Sequence, residues 1–294
     1  MKSTLGTDML LVRKRQKEKA FLVLATLAFL FSLIVLFTLI IDAFLDGLPR
    51  LNLKFLTSFP SRKPEEAGIL PAMVGSIYVT VLTVLFAIPL GVGSAVYLEV
   101  YAPRNRLSAA IEASIATLGG VPSIIYGMLG LELFARVLQL GRSLLAGSLT
   151  LALLVLPIVI VSTRESLRAV PQSLWEAALA LGATRWQALK DQILPVAFPG
   201  ILTGIILTVS RAIGEAAPLI MIGALTYVAF LPRGVLSPFT TLPIQIFNWV
   251  SRPQKAFHAN AAAGIIVLLA ITLSLNALSI VLRNRLEKRT PRTL

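Results

Sequence analysis

Residues 21–41 read Phe-Leu-Val-Leu-Ala-Thr-Leu-Ala-Phe-Leu-Phe-Ser-Leu-Ile-Val-Leu-Phe-Thr-Leu-Ile-Ile, which is 21 residues without one charged side chain. A helix of about 20 apolar residues crosses the hydrocarbon core of a bilayer. The stretch therefore predicts a transmembrane helix. It exceeds the about 7–15 apolar residues of a secretory signal, and no A-x-A-like cleavage site follows Ile41, so we expect it to remain as a membrane anchor.

Five more apolar runs follow, so the fold class predicted is an all-α, polytopic transmembrane bundle. We expect a basic cytoplasmic segment over 1–20, a transmembrane domain over 21–282 that contains a cytoplasmic loop at 163–198, and a basic cytoplasmic tail over 283–294. Gly119-Gly120-Val-Pro122 predicts a bend in the third span. The six spans are predicted at 21–41, 69–98, 111–135, 144–162, 199–230 and 259–282.

The composition excludes most other classes of protein. Hydrophobic residues make up 56% of the chain and charged residues 14%, whereas soluble domains are about 25% charged. Cysteine is absent, no glycine precedes a lysine, and His258 is the single histidine. Disulfides, a Walker A loop, histidine metal sites and Ser–His triads are thereby excluded. We expect no catalytic residue, no metal and no cofactor.

The net charge of +13 is explained by membrane topology. With the N-terminus inside, the four cytoplasmic segments hold 17 Lys and Arg residues, the three outer loops hold nine, and Arg211 lies within a span. This bias predicts that both termini are cytoplasmic, and that the basic segments attract anionic lipid headgroups. A nucleic-acid site would need a basic groove with stacking aromatic residues, which the sequence lacks.

The loop between the fourth and fifth spans predicts two short helices. Two capping patterns, Ser173–Glu176 and Thr184–Gln187, each predict a helix start. Gly182 is placed to end the first helix in the left-handed conformation, and Pro195 to stop the second. Such a hairpin either inserts into a groove on a cytoplasmic partner or packs on its own membrane domain, and local features do not separate the two.

The fifth predicted span contains a charged pair. Arg211 lies 12 residues beyond Pro199, about 18 Å along a helix and therefore near the middle of the bilayer. Glu215 follows four residues later on the same helical face, while Gly214 and Pro218 favour a local break. The pair is either a structural ion pair or an oxyanion site in which Glu215 holds the guanidinium of Arg211 or accepts a proton from the ligand.

The loop between the fourth and fifth spans resembles the EAA loop of ABC-importer permeases. The pattern of that family is EAA, three residues, Gly, nine residues and I-x-L-P. Glu176-Ala177-Ala178, Gly182 and Leu194-Pro195 match in register, whereas Gln192 occupies the isoleucine position. The resemblance implies that these residues belong to coupling helices that dock into an ATP-binding subunit, with Glu176 and Gly182 at the coupling positions.

Three stretches are similar to the phosphate-specific transport permeases: Ser210-Arg-Ala-Ile-Gly-Glu-Ala-Ala-Pro218, residues 55–69 and residues 239–249. This resemblance implies a role for Arg211 in phosphate movement, with Glu215 as its partner. It also implies a place in a bacterial inner membrane, a second permease, two cytoplasmic ATP-binding subunits that hydrolyse ATP, and a phosphate-binding protein outside the membrane.

Three alternatives remain open from the residues alone. Arg suits any tetrahedral anion, so a permease for phosphonate, sulfate or molybdate fits the same pair. A secondary transporter or channel acting alone would show topology repeats and lack a docking loop. A membrane scaffolding protein would leave Arg211 without a role.

Overall fold

The structure is a computed structural model that describes the backbone of residues 4–224 and 227–289, and the side chains of residues 14, 17–224 and 227–285. The outermost parts of the basic segments 1–20 and 283–294 lie outside the described residues. All regular elements of the described part are helical: α1 (Thr4–Gly47), α2 (Leu53–Thr57), α3 (Leu70–Val96), α4 (Arg106–Leu118), α5 (Ser123–Gly130), α6 (Leu144–Arg168), α7 (Gln172–Ala180), α8 (Arg185–Ala188), α9 (Leu194–Gly214), α10 (Ala217–Ile222), α11 (Leu242–Val250) and α12 (Ala256–Arg289).

Five helices are long and apolar enough to cross a membrane, or six if one bent pair counts as a span. Helices α3, α6, α9 and α12 pack into the central bundle, and α1 lies against α12. The all-α prediction is confirmed, and the first, second, fourth and sixth predicted spans each fall on a long helix. The five helices cover Lys17–Arg50, Leu70–Tyr101, Leu144–Arg168, Arg185–Gly214 and Ala256–Arg285.

The third predicted span, 111–135, consists of two helices that meet at a bend of 104°, so the predicted bend is present. Helix α4 ends at Leu118, and α5 starts at Ser123 behind Pro122 and continues as a π-helix to Val137. The break falls at the predicted Gly-Gly-Val-Pro sequence because proline disfavours the helical conformation in the residue before it. The hydroxyl of Tyr126 donates a hydrogen bond to the carbonyl of Leu118 at 2.9 Å and ties the two halves together.

The fifth predicted span, 199–230, is interrupted where Gly214 and Pro218 predicted a local break. Helix α9 ends at Gly214, and the short helix α10 starts at Ala217 after an interruption at Glu215. Pro218 lies in the first turn of α10. Backbone N–H groups in the first turn make no intrahelical hydrogen bond, so proline is tolerated there. Arg211 therefore lies in the last turn of α9, directly before the break.

The loop at 163–198 folds as two helices around Gly182, whose φ of +85° confirms the left-handed prediction. The Thr184–Gln187 capping box is confirmed by hydrogen bonds in both directions. The Ser173–Glu176 box is wrong, because Pro171 starts α7 and places Ser173 inside its first turn. Pro195 does not stop the second helix: a π-helical turn at Leu189–Ile193 precedes it and leads directly into α9.

Candidate substrate path and docking loop

The predicted pair is present at the break that ends α9. The Nε of Arg211 lies 3.4 Å from the Oε1 of Glu215. The Arg211 side chain is 56% exposed in the single chain, whereas that of Glu215 is 17% exposed. This contact is the one ion pair that either residue makes within the described chain, and it engages Nε alone. The two Nη groups of Arg211 are thus available to donate to two oxygens of one anion.

The second break lies beside the first. Helix α5 follows the break after α4, and α10 follows the break after α9. These two short helices pack against each other. At Gly127 of α5, an added Cβ would lie 2.6 Å from the Cα of Pro218 and 2.9 Å from the Cβ of Met221. Only glycine permits this approach, because two backbones meet there. Sequence reasoning missed the contact, since the two helices are about 90 residues apart in the chain.

The turn between α7 and α8 is the most exposed part of the hairpin that these two helices form. Leu181 is 90% exposed, and Leu179 and Trp186 are exposed beside it. Of the predicted coupling residues, Glu176, Ala177, Gly182 and Pro195 are exposed, Leu194 is half-buried and Ala178 is buried. Large apolar side chains on a protruding turn are typical of a surface that binds another protein.

The base of the same hairpin packs on the membrane domain. Leu189 and Ile193 are fully buried in a cluster with Leu167 at the end of α6 and with Ile201 of α9. Ile193, rather than Gln192, is therefore the residue that anchors this part of the loop. The base of the hairpin therefore packs on its own membrane domain, as one of the two interpretations predicted, while its tip projects.

A charge network that sequence reasoning missed connects α6 with two other elements. Arg164 lies 3.2 Å from Glu99, in the π-helical turn Tyr97–Tyr101, and 2.8 Å from Glu112 of α4. Arg168 donates to both carboxylate oxygens of Glu99 at 3.0 Å. The i,i+4 spacing of the two arginines was a visible signal, but both acids are more than 50 residues away in the chain.

Two of the three stretches that resemble phosphate permeases, 55–69 and 239–249, pack against each other. Phe55 of α2 and Trp249 of α11 are fully buried, with ring centroids 5.8 Å apart. They share one cluster with Ile69 and Phe257. Residues of the segments 55–69 and 239–249 thus form a single apolar core.

Comparison with known proteins places the chain in a class. Residues 87–292, more than half of the chain, match the family described as "Binding-protein-dependent transport system inner membrane component". The chain belongs to this family, and it is therefore a permease subunit of an ABC importer, an inner membrane protein rather than an enzyme. Permeases of this type work with a second permease, with ATPase subunits that hydrolyse ATP, and with an extracytoplasmic binding protein.

Individual relatives cover almost the whole chain. The probable ABC transporter permease protein YqgI of Bacillus subtilis is 32% identical over 88% of this chain and 90% of its own. The phosphate transport system permease protein PstA of Xylella fastidiosa (strain Temecula1) is 30% identical over 93% of this chain and 96% of its own. A permease chain of the methionine ABC transporter MetNI, inward facing, shares the fold with a TM-score of 0.61 and 18% identity over 74% of this chain and 95% of that chain.

The contact between α5 and α10 leads to a first prediction. We expect Gly127→Ala to lower the free energy of unfolding by about 1–3 kcal/mol, because the new methyl group forces the two backbones apart. Gly93→Ala is the matched control, since a Cβ at that position meets nothing within 4 Å. The measurement is thermal unfolding of the purified chain in detergent. Equal stability of the two variants would contradict the prediction.

Proposed function

We propose that this chain is the PstA-type permease of a phosphate importer. The observation that carries the proposal is the break after α9, where an exposed guanidinium and a mostly buried carboxylate lie 3.4 Å apart. The 30% identity to PstA over most of the chain supports phosphate as the substrate. The partners would be a PstC-like second permease, two PstB-like ATP-binding subunits and a PstS-like phosphate-binding protein.

Arg211 and Glu215 have different roles in this proposal. The Nη groups of Arg211 donate to two phosphate oxygens as the anion passes between the permeases. Glu215 orients Arg211 through Nε and accepts a hydrogen bond from a protonated phosphate oxygen. Sulfate and molybdate carry no proton near neutral pH, so the same carboxylate repels them.

The hairpin at α7 and α8 is proposed as the coupling element. Its exposed tip around Gly182 and Leu181 docks into an ATP-binding subunit, and its buried base carries the resulting movement to α6 and α9. The motif spans the whole hairpin. Helix α7 carries Glu176, Ala177 and Ala178, and the start of α9 carries Leu194 and Pro195. This arrangement requires the loop and both termini to be cytoplasmic.

Competition during uptake tests the substrate. We expect labelled phosphate to enter cells that carry the complete transporter, and a tenfold excess of sulfate or molybdate to leave uptake almost unchanged. In Glu215→Gln we expect sulfate to compete, because the repelling charge is gone. Glu132→Gln, which removes an exposed carboxylate from another i,i+4 pair, is the control.

Each outcome separates the candidate substrates. Inhibition of the unaltered transporter by another oxyanion would favour a permease for that anion and would reject phosphate as the specific substrate. Uptake in the absence of any ATPase subunit would instead indicate a secondary transporter. Selective phosphate uptake that Glu215→Gln does not relax would reject the role of Glu215 in discrimination.

A further inference from the structure

The charge network of Glu99, Glu112, Arg164 and Arg168 lies where the coupling hairpin joins the membrane domain. Arg168 is the last residue of α6, and α7 begins at Gln172, so only three residues separate the network from the hairpin. Leu167 and Val170, on either side of Arg168, are buried in the same cluster as the base of the hairpin. Any displacement of α7 therefore acts first on the turn of α6 that carries both arginines.

Helix α4 depends on this charge network for its attachment more than α3, α6 and α9 do. Within the described chain none of its 13 side chains is buried, whereas α6 buries most of one face. Ile115 contributes a partly buried contact near Leu98 and Ile160. Among the described residues, the shortest ion-pair distance of α4 is the 2.8 Å between Glu112 and the Nη2 of Arg164, a charge contact without hydrogen-bond geometry. Apolar packing thus holds α3, α6 and α9 together, but it holds α4 only weakly.

Arg164 is the centre of the network. Its side chain is 9% exposed and contacts Glu99 on one side and Glu112 on the other. If α4 separates from α6, the buried Arg164 loses one of its two carboxylates and keeps only Glu99, which makes the separation unfavourable. Glu99 and Glu112 each lie within 4 Å of both arginines, and Glu165 approaches Arg168 at 4.0 Å from the same helix.

We propose that Glu112 and Arg164 are positioning residues for transport, which lock α4, the first half of the broken span, to the end of α6 so that α4 moves together with the coupling helix α7. The inference rests on the proposed role of α7 in docking an ATPase subunit. The Tyr126–Leu118 hydrogen bond then carries the displacement of α4 to α5, which packs on α10 beside the Arg211 break. The network thereby links ATP hydrolysis to the substrate path.

Glu112→Gln is the decisive variant, because Arg164 keeps its pairing with Glu99 at 3.2 Å and the fold is preserved. Arg164→Gln would leave two carboxylates beside one arginine and would risk misfolding. We expect the complete transporter with Glu112→Gln to assemble and hydrolyse ATP, while the phosphate transported per ATP falls about tenfold. Glu132→Gln is the control, since it breaks a 2.8 Å pair in the other half of the same broken span at an exposed site.

A distance measurement tests the lock directly. The chain has no cysteine, so spin labels at Ser173→Cys on α7 and Ala109→Cys on α4 report one distance. We expect that distance to be the same with and without bound ATP in the unaltered network and to broaden or shift in Glu112→Gln. An unchanged transport ratio overturns the proposal, and so does a lower ratio with unchanged distances.

The two proposals fail in different ways. If the unaltered transporter takes up no phosphate, the proposed substrate is wrong, but the distance between α4 and α7 still tests the lock as long as the ATPase subunits bind. If phosphate enters normally in Glu112→Gln and the labels stay together, the substrate assignment stands and the lock is rejected.

Discussion

Arg211→Gln is expected to reduce phosphate uptake at least about 100-fold while the transporter remains assembled. Two charge-assisted hydrogen bonds to an oxyanion contribute about 1.5–3 kcal/mol each, and glutamine replaces them with neutral donors of different geometry. The Arg211 side chain is 56% exposed in the single chain, so its loss leaves no cavity in the subunit core. The measurement is uptake of labelled phosphate, with membrane abundance and subunit association checked in the same cells.

The matched control is Arg136→Gln. Arg136 also forms an i,i+4 pair with an acid, Glu132, at 2.8 Å, and it is exposed. Arg211→Lys should give intermediate uptake, because it keeps the charge but loses the planar fork. Normal uptake in Arg211→Gln would make the Arg211–Glu215 pair structural, and phosphate would then rest on similarity to PstA alone.

Leu181→Asp is expected to release the ATPase subunits from the purified complex, with affinity reduced at least about 30-fold. Leu181 is 90% exposed, so the single chain gains nothing from its side chain, and aspartate costs no internal packing. If the tip is the centre of a docked interface, removal of its large apolar side chain costs about 2 kcal/mol or more, and a buried unpaired charge adds to that cost.

Leu53→Asp provides the comparison, because Leu53 is an exposed leucine in α2, far along the chain from the hairpin. We expect it to retain the ATPase subunits. Co-purification and ATPase activity per permease are the two measurements. Retention of the subunits in Leu181→Asp would show that the hairpin tip is not the docking surface, whatever the role of Gly182.

Local sequence signals were reliable where short-range physics decides the conformation. Gly182 is left-handed and Thr184 caps its helix as predicted, because both depend on a few neighbouring residues. The Ser173 cap failed, since Pro171 supplies a competing helix start two residues earlier. Arg211 and Glu215 were found from their spacing, and the break between α9 and α10 falls where Gly214 and Pro218 predicted it.

The sequence by itself determined the class of this protein. Long apolar runs leave no alternative to membrane-spanning helices, since an unpaired backbone cannot be buried in lipid, and the loop motif and charged pair are both local patterns. Only the tertiary structure decided which broken helices meet, where Gly127 lets α5 approach α10, and which acids surround Arg164. Those contacts join residues that are distant in the chain, and their geometry follows from packing the whole bundle rather than from any local propensity.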